Sequence, residues 1–335
     1  MTTIYLHIGL PKTATSTVQG AIQKLRPLLD PKGYWTPLGI MAHHRFAIEA
    51  LDKSDPRFAW SHYQRVLASG NDAVVSEVAA AVRERKHILI SSEYLNDCGP
   101  QATARLLAQF GVHARDVRII VCLRRQDRFL ESSYNQEVKG TGRTRPLVWS
   151  PRQASPWDWY AKLSAWAGEF GDAALRVLVF ERVTREAPGH LFTKAVLEAC
   201  DLKFEDADIN SLASAADDYI NASLPAELLE FKRIANTVTQ ISELDWFIGK
   251  AMAARTISTR YRMSKSLAAE IVAYYQVSNA EVARRFLKEP GPLFDELLDG
   301  DDATPAPLDT ALLSQLIALI AAEIGAQRGK RPGSR

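Results

Sequence analysis

The chain has 335 residues, 47% hydrophobic and 24% charged, enough to bury a large core in one large domain or two ordinary ones. Forty-one Lys plus Arg against 39 Asp plus Glu leave a formal charge of +2, which excludes a general electrostatic grip on nucleic acid or on an anionic membrane. Any anion must instead be held by a few positioned groups; Arg outnumbers Lys 27 to 14, a bias that a GC-rich genome gives by itself.

The first strand is expected at Ile4–Ile8, a short apolar run, followed by a helix on which Val18, Ile22 and Leu25 share a face. Further strands are expected at His87–Ser92, Val117–Leu123 and Leu175–Phe180, each a compact run rich in Ile, Leu and Val that suits a parallel sheet buried on both faces. Helical patterns fall between them, with Leu106, Leu107 and Phe110 after the second strand and Trp157–Phe170 before the fourth. This alternation predicts an α/β fold with a central parallel sheet. The segment Gly140–Pro156 carries no period and reads as a long loop. Beyond Leu202 strand signals stop, and Pro225–Thr239, Ser264–Val277 and Leu308–Ile324 read as helices. We therefore expect a core over 1–201, a largely helical region over 202–327 that completes the same domain, and a frayed basic tail at 328–335.

The three cysteines, Cys98, Cys122 and Cys200, are widely spaced and form no CxxC pair or zinc-like cluster. Buried thiols in a reducing compartment and no metal are the plain expectation. The start lacks a basic segment followed by an apolar run, and no stretch approaches the ~20 apolar residues of a membrane span. We expect a cytoplasmic protein with no membrane span and no nucleic-acid partner; a homo-oligomer is compatible with the sequence.

Two segments carry chemistry. The first, Gly9-Leu10-Pro11-Lys12-Thr13-Ala14-Thr15-Ser16-Thr17, lies where a buried strand gives way to an amphipathic helix. The first amides of that helix have no internal partner and its dipole favours an anion there; three hydroxyls and the Lys12 charge complete a phosphate or sulfate cradle. It is not a Walker A loop, because no Gly precedes Lys12. A well-capped helix start would use the same residues. The second segment, Leu123-Arg124-Arg125 through Ser132-Ser133-Tyr134-Asn135, follows the third strand. Arg124 and Ser132 can converge there on a second anion, at the strand ends where open α/β sheets bind ligands. The alternative is a solvated helix start with an Arg128–Glu131 surface pair.

Together, Pro11-Lys12-Thr13-Ala14-Thr15-Ser16-Thr17 and the Arg124/Ser132 pair resemble the two donor-binding motifs of sulfotransferases that use 3′-phosphoadenosine 5′-phosphosulfate (PAPS). Ser91-Ser92-Glu93-Tyr94-Leu95 and the text around Ser132 look like the bacterial branch similar to carbohydrate sulfotransferases, over about residues 3–181. The resemblance implies a P-loop-like three-layer fold. It implies that residues 11–17 hold the 5′-phosphosulfate, with Lys12 on the 5′-phosphate and bridging oxygen, and that Arg124 and Ser132 hold the 3′-phosphate. Ala14 stands where the family usually has Gly, a costly exchange only if the backbone there has positive φ. Phe180-Glu181 occupies the place of a Tyr-Glu pair and could pack on adenine; Arg125 and Ser133 are substitutes within the second motif.

Transfer to a hydroxyl also needs a base. Glu93, at the end of its strand, is the first choice, against an N-cap or salt-bridge role. His43 and His44, which read as a loop after the first helix, are the competitors, as bases or as acceptor-orienting groups. Tyr34, Trp35, Trp60, Trp149, Trp157 and Trp159 offer aromatic surface for a saccharide or glycoconjugate acceptor, although Trp157 and Trp166 suit a core better. Lys139, Arg143 and Arg145 could meet an anionic one. The competing functions are an ATP-dependent small-molecule kinase and a non-catalytic nucleotide- or glycan-binding protein.

Overall fold

The computed structural model describes residues 2–10, 12–186, 191–205, 208–209, 223–237, 261–294, 314 and 317–318. Five strands form one sheet: β1 (Ile4–His7), β2 (Tyr34–Trp35), β3 (His87–Ser91), β4 (Val117–Leu123) and β5 (Leu175–Val179), in the order β2-β3-β1-β4-β5. Every neighbouring pair is parallel, with Ile4 opposite both Ile88 and Val117. The α/β class and parallel sheet expected from the apolar runs are present, each run within a residue of its expected bounds. The two-residue β2 was not expected, because Tyr34-Trp35 is too short to show a period.

All strands run the same way, so the turns leaving β1, β3 and β4 emerge at one edge of the sheet. β1 lies between β3 and β4, so chain order switches direction at its carboxyl end, where open α/β sheets form their crevice.

Helices α1 (Thr15–Leu29), α2 (Ile40–Glu49), α3 (Ser61–Leu67), α4 (Val74–Arg83), α5 (Tyr94–Cys98), α6 (Pro100–Ala108), α7 (Gln126–Gln136), α8 (Trp159–Phe170), α9 (Phe180–Glu186) and α10 (Leu191–Glu198) connect and follow the strands. On one face of the sheet Tyr5, Leu89, Ile120 and Cys122 pack with Val18, Ile22 and Leu25 of α1 and with Phe192 and Val196 of α10. Residues of the other parity, including Leu6, Ile88, Ile90, Ile119 and Val121, are also fully buried, so both faces are covered. α1 matches its expected stripe. The adjacent histidines expected in a loop instead lie within α2, because a buried His43 takes an apolar position on that helix.

Later helices are α11 (Ala226–Ala235) and α12 (Lys265–Val282). Both overlap expected helices; 308–324 and the tail 328–335 lie outside the described residues apart from 314, 317 and 318. The long loop expected at Gly140–Pro156 is broken up by short turns at Glu137–Thr141, Pro151–Gln153 and Ser155–Trp157.

The chain divides into two compact units that interleave in sequence. Met1–Arg125, Ser155–Ala215 and Tyr275–Asp295 make the first, which holds the sheet; Gln126–Ala154, Ala216–Tyr274 and Glu296–Arg335 make the second. The boundaries between the units thus fall at Gln126, Ser155, Ala216, Tyr275 and Glu296. Within the second unit Asn135 of α7 receives the Leu224 amide and donates to its carbonyl, at 3.0 and 2.8 Å. Glu131 of α7 accepts from Met263 N–H, Arg262 and Arg128. The Arg128–Glu131 pair therefore forms, but both residues are buried, and the start of α7 is no solvated face.

Candidate active site

The site is built first by the turn leaving β1. Ile8 N–H still bonds Ile120 O of β4, so the chain stays sheet-bound to Ile8 and then turns sharply. Gly9 is required by space: a Cβ there would stand 2.4 Å from Thr15 Cγ2. The buried hydroxyls of Thr13 and Thr15 donate to Leu10 O at 2.7 and 3.3 Å, folding the turn back on itself. Lys12 (φ 69°) and Ala14 (φ 57°, ψ 27°) both take left-handed conformations, which cost a non-glycine residue ~1–2 kcal/mol each. The positive φ at Ala14 thus makes the alanine there the costly choice over glycine.

Ala14 is the N-cap of α1 and no acidic residue occupies the first turn. The exposed Ser16 and Thr17 and the amides beginning α1 thus keep the positive character that attracts an oxyanion. Thr13 and Thr15 are spent on shaping the turn, and Pro11 lies outside the described residues.

The neighbouring turn, after β3, contributes Glu93. It holds the N-cap position of α5 but its side chain makes no capping bond. Its carboxyl stands at the end of β3, next to the strand that leads into the Lys12 turn. Burial raises its pKa above the usual carboxylate range, with Lys12 pulling the other way and Asp97 adding to the rise. A carboxylate with raised basicity beside a cation on adjacent strand ends can accept a proton.

The two histidines of α2 separate in role. His43 is fully buried, its Nδ1 accepts Ser91 N–H at 3.1 Å, and its Nε2 lies 3.1 Å from the Gln23 amide. Burial lowers its pKa to about 3, and its ring is closed to any acceptor. His44 is only partly buried; its Nδ1 meets Ser92 Oγ at 2.8 Å and its ring stacks on Tyr94 at 4.5 Å. His7, which the sequence did not single out, pairs its Nδ1 with Ser91 Oγ at 2.8 Å and is fully buried. Its signal was a polar residue at the inward end of an apolar strand.

At the end of β4, Arg124 donates to Lys12 O at 2.7 Å, lies over the Phe180 ring at 4.9 Å and faces Glu181 at 4.0 Å. It therefore braces the Lys12 turn as well as carrying charge. Glu181 accepts the Arg125 amide, and burial raises its pKa. Ser132, half-buried, and its neighbour Ser133 lie on α7 in the second unit.

Several residues read as acceptor surface serve packing instead. Tyr34 is buried with its hydroxyl on Cys200 O, and Trp159 is buried with its indole N–H on Arg124 O. Large rings at strand and helix starts fall inward, where their one polar atom finds a carbonyl. Trp60 remains exposed at 43%. Arg143 is occupied by Glu137 and the carbonyls of Arg145 and Pro146. Among the described residues no three His, Cys, Asp or Glu side chains gather as metal ligands, and the three cysteines are free and buried. No described helix is long and apolar enough to cross a membrane. No protein-family model, curated protein or solved structure matches the chain.

Proposed function

We propose that this protein is a PAPS-dependent sulfotransferase on a P-loop-like fold, acting on a hydroxyl, or an amine, of a saccharide or glycoconjugate. The observation that supports this reading is that the Lys12 turn and Glu93 follow the neighbouring parallel strands β1 and β3, which brings a proton acceptor to the same sheet edge as a cationic, hydroxyl-bearing turn. PAPS, when bound, supplies a sulfuryl group on a phosphate leaving group, and its negative charges match the donor set at the start of α1. Lys12, Ser16, Thr17 and the first amides of α1 hold its 5′ end, and Lys12 stabilises charge on the leaving oxygen. Arg124 takes the 3′-phosphate, and Phe180 offers a face to the base. Glu93 accepts the acceptor hydroxyl's proton as sulfur–oxygen bond formation makes that proton acidic.

Titration calorimetry tests the donor assignment directly. The chain is expected to bind adenosine 3′,5′-bisphosphate at least ~10-fold more tightly than ATP, since a charge-assisted contact to the 3′-phosphate is worth ~1.5–3 kcal/mol. Equal or tighter binding of ATP, with no preference for a 3′-phosphate, would favour a kinase and overturn the reading.

A further inference from the structure

The turn after β3 fixes the protonation of His44. Ser92 Oγ is fully buried and accepts Tyr94 N–H at 3.1 Å. Its own proton has one described acceptor, His44 Nδ1 at 2.8 Å. A buried hydroxyl proton left without an acceptor is costly, so it points at Nδ1, and the neutral imidazole then carries its hydrogen on Nε2. Burial lowers the His44 pKa to about 4, so the ring stays neutral near pH 7. No described residue takes the Nε2–H, and the ring is partly exposed.

The ring cannot swing away to another role. It stacks on Tyr94 (4.5 Å, 20° between planes), and Tyr94 stacks on the fully buried Tyr63 (4.9 Å, 29°). Trp60 packs its edge on Tyr63 at 5.3 Å and meets His62 at 5.4 Å, extending the aromatic surface to solvent. Tyr94 follows Glu93 directly in the chain, so this surface begins at the proposed base.

We propose that His44 is a hydrogen-bond donor to the acceptor, not a base, and that its Nε2–H and its ring face form a subsite for an uncharged, hydroxylated ring such as a neutral pyranose. Tyr94 is stacked between His44 and Tyr63, so the His44 face turned away from it is the one left for C–H stacking, and His44 Nε2–H offers a donor to a ring hydroxyl. Glu93 directly precedes Tyr94 and Asp97 follows it in the same short helix, two carboxyl groups that disfavour an anionic acceptor. The identity of the ring as an acceptor rests on the sulfuryl-transfer reading; the tautomer and the ring subsite do not.

Three measurements on the full chain separate these layers. Long-range 1H–15N correlation of the 15N-labelled protein reads the tautomer: a neutral His44 ring protonated at Nε2 is expected between pH 6 and 8, and protonation at Nδ1 would overturn the proposal. Saturation-transfer NMR with methyl β-glucopyranoside and methyl β-glucuronide reads the subsite. The neutral glycoside should give the stronger signal, lost in His44→Phe, which keeps the stack, and kept in His44→Gln, which restores a donor. No signal from the neutral glycoside, or preference for the glucuronide, would overturn the ring class.

In assays of transfer, His44→Phe should raise the acceptor KM ~5–10-fold, the worth of a neutral hydrogen bond, with kcat and the acid limb of the pH profile unmoved. Loss of that limb with collapse of kcat would make His44 the base. Failure of the wild type to bind adenosine 3′,5′-bisphosphate would remove the transfer reading while leaving the tautomer and glycoside results to stand or fall alone.

Discussion

The turns leaving β1 and β3 occupy neighbouring strand ends and are built in opposite ways. The first holds two left-handed non-glycine residues, Lys12 and Ala14, and opens a helix whose N-cap makes no side-chain bond. In the second, Ser91 and Ser92 use backbone and hydroxyl to hold His7, His43 and His44, and Gln19 Nε2 donates to Ser91 O at 2.8 Å, while His7 Nε2 stays buried without a partner among the described residues. Backbone strain beside an uncapped helix start suits a ligand site, whereas buried neutral polar groups bonded to one another suit a scaffold. The β3 turn holds Glu93 at the sheet edge it shares with the β1 turn. Changes in the first should therefore damage chemistry and spare the fold, and changes to Ser91, His7 and His43 of the second should do the reverse.

The largest expected effect is acid loss of the β3 scaffold. Burial lowers the pKa values of His7, His43 and His44 to about 4, 3 and 4, against ~6.5 in an unfolded chain. The unfolded state thus takes up protons first as pH falls. Stability from these rings is fully present above pH ~6.5 and is lost as pH drops toward about 4, at ~1.4 kcal/mol per pH unit for each. The raised carboxyls of Glu93, Asp97 and Glu181 act in the opposite sense, so the histidine share is isolated by difference. Urea unfolding at pH 7, 6 and 5 should show a slope shallower by ~1.4 kcal/mol per pH unit in His7→Gln than in the wild type. Equal slopes would mean that His7 is not held neutral.

Lys12→Ala comes next and tests the other side of the comparison. Removing the charge should lower kcat ~10²–10³-fold, the usual cost of a lost oxyanion donor, and weaken binding of adenosine 3′,5′-bisphosphate. Unfolding free energy should stay within ~0.5 kcal/mol. Wild-type affinity for the bisphosphate would detach Lys12 from the donor. Ser91→Ala should do the converse: it strips the partner from His7 Nδ1 and costs ~1–3 kcal/mol of stability. Bisphosphate affinity should then be unchanged by calorimetry.

The contrast between these turns was only half legible in the sequence. The strands were readable because Ile4–His7, Val117–Leu123 and their partners are buried on both faces and so appear as unbroken apolar runs. Lys12, Arg124 and Glu93 were readable because charged residues at strand ends have few structural reasons to be there. α2 was not, because its polar His43 sits where a helix pattern calls for an apolar residue, and the bonds that reconcile it come from Ser91 and Gln23. Nor was the left-handed turn, since no glycine marks Lys12 or Ala14. The departure of α7 into a second unit depends on partners such as Leu224 and Met263, far along the chain, which no local pattern reports.

The smallest effect is the most direct test of strain in the β1 turn. Ala14 holds φ 57° as the N-cap of α1. Glycine accepts that conformation without steric cost and is also the better N-cap. Against this, glycine loosens the unfolded chain by ~0.4–1 kcal/mol, which offsets part of the ~1–2 kcal/mol relieved. Ala14→Gly should therefore stabilise the protein by a net ~0.5–1 kcal/mol in urea unfolding. If the strained turn is already shaped for its ligand, bisphosphate affinity should move less than ~2-fold, because glycine leaves the donors where they are. A destabilised Ala14→Gly protein would mean that the Cβ of Ala14, which packs against the core beneath α1, contributes more than its backbone costs, and the turn would belong with the scaffold instead.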